Sequence, residues 1–221
     1  MSQESFNRVS HEGKDGKAPI IGIRRFRIGT DGNGITTLVG FHGCPLRCRF
    51  CLNPSSINDE SKVKNMSAEE VMKVLRRDEL YFVATNGGVT FGGGEPFIHS
   101  SFIKNVLDMG AKEWRVTVET SLNVPLEKIK LLTPYVDEYI VDIKDMDPNI
   151  YSMYTGKDNR LVLSNLSWLV EQGFAKRILC RIPLIPEFNS EEMQERSKER
   201  LASMGIERFD LFTYKTNIKK Q

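Results

Sequence analysis

The chain has 221 residues, 40% of them hydrophobic and 27% charged, enough to bury a core without staples and too apolar for general disorder. Its 31 Lys and Arg against 29 Asp and Glu leave a formal charge of +2, so no strong field argues for nucleic acid or an anionic membrane as the main partner. Of the four cysteines, Cys44, Cys48 and Cys51 fall within eight consecutive positions, which excludes a secreted disulfide framework and points to metal or redox chemistry in a reducing compartment, the cytoplasm.

In chain order, residues 1–17 are polar and lack the apolar region of a signal peptide, and 1–19 read as a flexible arm ahead of one domain over 20–221. No apolar run approaches the ~20 residues of a membrane span. Residues 20–28 and 35–41 are strand-like and flank the turn signal Asp31-Gly32-Asn33-Gly34, which predicts a hairpin. Residues 43–64 carry no period and read as a long functional loop. Beyond it, helix and strand signals alternate. Ser67 and Glu70 form a capping box ahead of a helix with Val71, Val74 and Leu75 on its apolar face. A strand at 88–91, a helix at 101–109 and a strand at 114–118 follow. Then come a helix at 125–132, a strand at 138–143, a helix at 161–172, a strand at 177–185, a helix at 190–204 and a last strand at 209–214. Strands separated by helices imply βαβ units and a parallel sheet. Six core strands are too few for a closed eight-stranded barrel of about 250 residues. That leaves an open six-unit arc or a flat doubly wound sheet.

The run Cys44-Pro-Leu-Arg-Cys48-Arg-Phe-Cys51 places three thiols at spacings of three and two intervening residues. Three thiolates on a short loop can hold three corners of a cubane cluster and leave the fourth iron open. The alternatives are a zinc site, with His42 as the nearest fourth ligand, and three unrelated loop thiols.

Gly43-Cys44-x3-Cys48-x-Phe50-Cys51 resembles the signature of radical S-adenosylmethionine enzymes, down to the aromatic residue before the last cysteine. The resemblance implies a [4Fe-4S] cluster on Cys44, Cys48 and Cys51 whose open iron is chelated by the methionine moiety of S-adenosyl-L-methionine. One electron then cleaves the cofactor to methionine and a 5'-deoxyadenosyl radical, which abstracts hydrogen from substrate. Gly92-Gly93-Gly94-Glu95-Pro96 resembles the family motif that contacts the methionine amino group. Glycines let the backbone approach a ligand, and a carboxylate accepts from an ammonium. The likeness narrows to the activating enzymes of glycyl-radical enzymes, pyruvate formate-lyase activase among them, and can be followed from Ile23 to Tyr214. Asp31-Gly32-Asn33-Gly34-Ile35, Gly87-Gly88-Val89-Thr90, Glu119-Thr120-Ser121-Leu122-Asn123, Asp142-Ile143-Lys144 and Arg181-Ile182-Pro183-Leu184-Ile185-Pro186 fall in the family's order. What this implies is a partial (β/α)6 TIM-like barrel of parallel strands. Glu119, Thr120, Asp142, Lys144 and Arg181 would line the cofactor site beside Phe50 and Gly92 to Glu95. A protein substrate, itself a glycyl-radical enzyme, and a flavodoxin- or ferredoxin-type electron donor would be the partners. For Asp142, Lys144 and Arg181 the alternative is a structural ion network.

The chain departs from the family at Thr36, where arginine is expected, at Asn33 in place of proline, and at Lys215 in place of a histidine after Tyr214. Two other functions stay open. One is a small-molecule radical enzyme resembling 7-carboxy-7-deazaguanine synthase, and the other is a non-catalytic iron–sulfur protein. Cys180 reads as an inert core thiol, His99 as a helix-start residue, and Arg24, Arg25 and Arg27 as a solvated basic strand edge.

Overall fold

The computed structural model describes residues 16–110 and 112–214. Residues 1–15 of the expected arm lie outside that range, whereas Lys17, Ala18 and Pro19 already belong to the first strand, so this strand begins earlier than the hydrophobic pattern suggests. Ala18 is buried there. Its neighbours Lys17 and Pro19 disguise the strand, which pairs antiparallel with residues 64–67.

The strands are β1 (Lys17–Ile28), β2 (Ile35–Phe41), β3 (Lys64–Ser67), β4 (Gly88–Gly93), β5 (Arg115–Thr120), β6 (Glu138–Asp142), β7 (Ile178–Leu184) and β8 (Arg208–Thr213). The helices are α1 (Ser55–Asn58), α2 (Ala68–Leu75), α3 (Glu79–Thr85), α4 (Ser100–Asp108), α5 (Leu126–Leu132), α6 (Pro148–Thr155), α7 (Arg160–Glu171) and α8 (Glu191–Ser203). Hydrogen bonding orders the strands β3-β1-β2-β4-β5-β6-β7-β8. The six expected core strands therefore follow one another in sequence order. The first of them, β2, has β1 and not β8 on its other side, so the run does not close on itself. The fold is α/β, as the alternation predicts.

The chain divides into two compact units. The first takes the chain up to Pro45, Asn53–Thr120 and Val124–Tyr139. Here β1 and β2 form the expected hairpin, and β2, β4 and β5 run parallel. Val39, Phe41, Val89, Phe91, Val116 and Val118 are buried and, by the register, line one face of the sheet, while Thr90 and Thr117 are buried on the other. Helix α2 opens on the capping box at Ser67 and Glu70 and lays Val71, Met72 and Leu75 into the core.

Two arginines of β1 are not a solvated edge. Arg25 Nε lies 2.9 Å from both carboxylate oxygens of the fully buried Asp78, which also accepts from Thr37 Oγ1 at 2.7 Å. Arg27 Nε donates to the buried Asp31 at 2.7 Å, and Thr36 Oγ1 donates to the same carboxylate at 3.1 Å. Thr36, where the resemblance leads one to expect arginine, thus meets Asp31 through its hydroxyl, and the cation beside this carboxylate comes from β1. Charge pattern alone missed both pairs because each carboxylate is remote or across a turn.

The second unit takes Leu46–Leu52, Ser121–Asn123 and the chain from Ile140 onward. Strands β7 and β8 run parallel in it. Helix α6 was not anticipated. Asp147 caps it through Asn149 N and Ile150 N, Pro148 supplies the first helical position, and Gly156 ends it in the left-handed region at φ 72°. Helix α8 is highly charged, yet its Gln194 is buried and donates to the carbonyls of Ile182 and Phe212 at 2.7 and 3.3 Å. Those carbonyls belong to β7 and β8, so a polar side chain does what an apolar stripe usually does.

Candidate active site

In the first unit, β4 ends in the glycine run. A Cβ on Gly94 would fall on the carbonyl oxygen of Gly43, so only glycine lets this turn lie against the segment leading to Cys44. A Cβ on Gly92 would stand 3.0 Å from Glu119 Oε2, which places Glu119, at the end of β5, directly beside the strand. Gly93 has a φ of 90° and so turns the chain where a side chain would be strained. Glu95 is 1% exposed. Its Oε1 accepts from Thr120 Oγ1 at 2.8 Å and from Phe97 N at 3.3 Å. The structure thus joins Glu95 to Thr120 and Gly92 to Glu119, four of the residues expected at the cofactor, at the C-terminal ends of two neighbouring parallel strands. Ligands of parallel α/β proteins bind at such ends.

In the second unit, residues 46 to 50 of the cysteine loop run beside the end of α6. Arg47 N donates to Thr155 O at 2.8 Å and Arg49 N to Tyr154 O at 3.2 Å. These bonds set an alternation: Arg47 and Arg49 are exposed, while Leu46, Cys48 and Phe50 turn inward. Cys48 and Phe50 pack against a cluster of Tyr154, Ile185 and Tyr214. Phe50 lies 6.3 Å from the Tyr154 ring and 6.1 Å, edge to face, from Phe188.

The same unit brings Asp142, Lys144 and Arg181 together. Lys144 Nζ donates to Asp142 Oδ2 at 3.1 Å and to the Tyr214 hydroxyl at 3.0 Å. Arg181 Nε stays 3.7 Å from both Asp142 Oδ1 and Asp210 Oδ2, and its guanidinium sits over the Phe212 ring at 5.3 Å. Burial, the largest single influence, works against the Lys144 charge, but Asp142, Tyr214 and Cys48 together outweigh it and hold the ammonium well above its ordinary range. Burial also pushes the Cys48 thiol up to about 11, and the nearby Lys144 charge offsets part of that rise. The ion network weighed from the sequence is therefore real. It is also incomplete, because Asp142 Oδ1 is buried without a hydrogen-bond partner among the described residues. Tyr214, which the sequence marked only as the point where the family pattern fails, is the missed member of this group. Its signal was its place at the end of the last strand.

None of the four cysteines is in a disulfide, and Cys44, Cys48 and Cys51 are partly exposed whereas Cys180 is buried. Among the described residues no group of three His, Cys, Asp or Glu side chains is placed to hold a single metal ion.

The model of the Radical SAM superfamily matches residues 38–198, a span holding the three clustered cysteines, the glycine turn, Asp142, Lys144 and Arg181. The chain belongs to the radical SAM superfamily. It is 31% identical to the (2S)-3-sulfopropanediol dehydratase activating enzyme of Klebsiella oxytoca, over 78% of this chain and 73% of that one. It is 28% identical to the pyruvate formate-lyase 2-activating enzyme of Escherichia coli strain K12, over 91% and 78%. Among solved structures, SuiB of Streptococcus suis superposes with a TM-score of 0.62 at 20% identity, covering 80% of this chain and 39% of that one. Coproporphyrinogen III oxidase HemN of Escherichia coli gives 0.57 at 14% identity, over 97% and 48%. The chain spans about two fifths to one half of those solved proteins, and they establish the radical SAM fold alone. Membership carries S-adenosylmethionine and an iron–sulfur cluster as the family's cofactors. The chain's residues fit that pair. Three cysteine thiols are the donor type such a cluster takes, and the unmet Asp142 Oδ1 beside two cations is a polar site suited to a zwitterionic ligand.

Proposed function

We propose that residues 20–221 form one radical SAM core domain that activates a partner protein by generating a glycyl radical on it. The observation that carries this reading is the match to activating enzymes along 73% or more of both chains. When bound, a [4Fe-4S] cluster supplies one electron to S-adenosylmethionine, whose reductive cleavage yields the 5'-deoxyadenosyl radical that abstracts hydrogen from substrate.

The chain's own residues bind, orient and shield. Cys44, Cys48 and Cys51 hold the cluster, and the Cys48 thiol must give up its proton to do so, a loss that the Lys144 ammonium favours. Gly92, Gly93 and Gly94 present backbone to the cofactor, and Glu95, ordered by Thr120, receives its amino group. Glu119, Asp142, Lys144 and Arg181 take its remaining polar groups, with Asp142 Oδ1 accepting the hydrogen bond it otherwise lacks. Phe50, braced by Tyr154 and Phe188, keeps water from the loop.

A flavodoxin- or ferredoxin-type protein serves as the electron donor, and the cytoplasm as the reducing compartment. No described helix is long and apolar enough to cross a membrane. The test is to incubate the reconstituted, reduced protein and S-adenosylmethionine with candidate glycyl-radical enzymes under anaerobic conditions. A glycyl-radical doublet in the electron paramagnetic resonance spectrum of one partner supports the reading. Formation of 5'-deoxyadenosine with no radical on any partner overturns it in favour of a small-molecule substrate.

A further inference from the structure

Strand β2 ends at Phe41, and the three carbonyls that lead from it to Cys44 are all taken by the segment after β4. Gly94 N donates to Phe41 O at 2.9 Å and Glu95 N to Gly43 O at 2.8 Å. Between these two backbone bonds, His99 Nε2 stands 2.8 Å from His42 O. A carbonyl oxygen brings no proton, so Nε2 carries the hydrogen and donates.

The ring is held for this task. His99 is 2% exposed and stacks on Phe41, with centroids 5.0 Å apart and planes 20° from parallel. It sits at the end of the short turn Pro96–His99 that Glu95 caps. The other side of the same peptide is fixed as well, because Gly43 N donates to Ser56 O at 2.7 Å. Gly43 has a φ of 99°. A glycine in that region has little intrinsic preference to keep the preceding peptide plane in one orientation. The orientation, and with it the direction in which the chain enters Cys44, therefore depends on the two clamping hydrogen bonds. One of them is the only side-chain contact among the three carbonyl bonds described.

We infer that His99 is a positioning residue for the iron–sulfur cluster. Its Nε2–H fixes the His42–Gly43 peptide so that Cys44 is presented to iron in register with the turn that carries Glu95. The inference rests on the reading of Cys44 as a cluster ligand. It extends that reading by adding a side chain that touches neither iron nor cofactor.

The test uses three variants of the whole chain, each reconstituted anaerobically with iron and sulfide. His99→Gln places an amide N–H near the reach of Nε2, His99→Asn places it nearer to Nδ1 and short of His42 O, and His99→Phe keeps the stacked ring without a donor. The readouts are the rate of iron release to a chelator, the electron paramagnetic resonance line shape of the reduced cluster with and without S-adenosylmethionine, and the melting of the cluster-free chain. Expected is release about tenfold faster in His99→Asn and His99→Phe, the scale of one lost hydrogen bond, with an altered line shape. His99→Gln is expected to restore both, while the cluster-free His99→Asn and His99→Phe chains, which lose a buried hydrogen bond, melt somewhat lower yet stay folded at the temperature of the release measurement. Wild-type release in His99→Asn and His99→Phe overturns the inference. So does equal loss in His99→Gln, which would make the role one of ring packing, and so does iron release that speeds up only at temperatures where the cluster-free chain is itself melting. Should His99→Phe fail to fold, the comparison of Gln with Asn decides. A wild-type chain that takes up no iron, or a Cys44→Ala chain that keeps it, removes the cluster reading itself.

Discussion

Lys144 Nζ donates to the hydroxyl of Tyr214 at 3.0 Å while it pairs with Asp142 Oδ2 at 3.1 Å. The last residue described after β8 thus orders a lysine two positions beyond the end of β6. Tyr214→Phe should leave cluster content unchanged and weaken S-adenosylmethionine binding roughly tenfold, the range for one hydrogen bond to a charged group. Lys144→Met should weaken it by about two orders of magnitude, because it also leaves Asp142 without its nearest cation. Equilibrium binding to the reconstituted variants measures both. Since Asp142, Tyr214 and Cys48 together overcome burial and raise the Lys144 pKa well above 10.5, this contribution to stability and binding is fully present below pH 10.5 and is lost only above it. Affinity should therefore show no titration from this group near neutrality.

Cys180 is fully buried in β7, and burial alone raises its thiol from 9.0 to about 12. The unfolded chain ionises this thiol first as pH rises, so its neutral form contributes stability that is present below pH 9 and lost as pH climbs toward 12. Each unit in that window costs roughly 1.4 kcal/mol. Cys180→Val should remove that component. Denaturant unfolding of the two chains across this window should show the variant falling less steeply, while its iron content matches wild type.

Cys44→Ala, Cys48→Ala and Cys51→Ala should each abolish stable iron binding, whereas Cys180→Ala should cost only the stability expected of a truncated core residue. Iron and acid-labile sulfide per chain, read beside the visible absorbance of the reconstituted protein, separate the two outcomes. A cluster that survives loss of any of the first three would remove that cysteine from the ligand set.

Asp78 lies buried against Arg25 and Thr37. Burial disfavours its carboxylate, yet those two partners together keep its pKa below the usual range. Removing the arginine as Arg25→Met strands a buried charge. Arg25 is itself partly exposed, which softens the penalty of full burial, so a clear but moderate loss of stability is expected. The pair's contribution is present above the unfolded carboxylate pKa and disappears as pH falls through the lower folded value. The stability difference between wild type and Arg25→Met should therefore narrow in acid, which urea unfolding at pH 7 and pH 3 measures.

What could be read from the residues and what could not divides along physical lines. The elements of the alternating core were legible because apolar periodicity and caps are local, as at Ser67 with Glu70 and at Ser190 before α8. Helix α6 escaped because its apolar face is interrupted and its start rests on Asp147 and Pro148 rather than on periodicity. At the site, the thiols and the glycine turn declared themselves by spacing. The partners that hold them did not. His99 looked like a helix-start residue although its ring reaches back to His42, 57 positions earlier, and Tyr214 meets Lys144 across 70 positions. Arg25 and Arg27 read as surface charge because the carboxylates that bury them are set by the fold. Polar contacts distant in sequence carry no period, and only the assembled units reveal them.

The central claim, that three clustered thiols serve a reductive cleavage of S-adenosylmethionine, is tested most directly by anaerobic reconstitution followed by dithionite reduction in the presence of that cofactor. The account predicts 5'-deoxyadenosine and methionine in equal amounts, both absent from the Cys48→Ala chain. A wild-type protein that carries its full cluster, is reduced by dithionite and still forms no 5'-deoxyadenosine would contradict it.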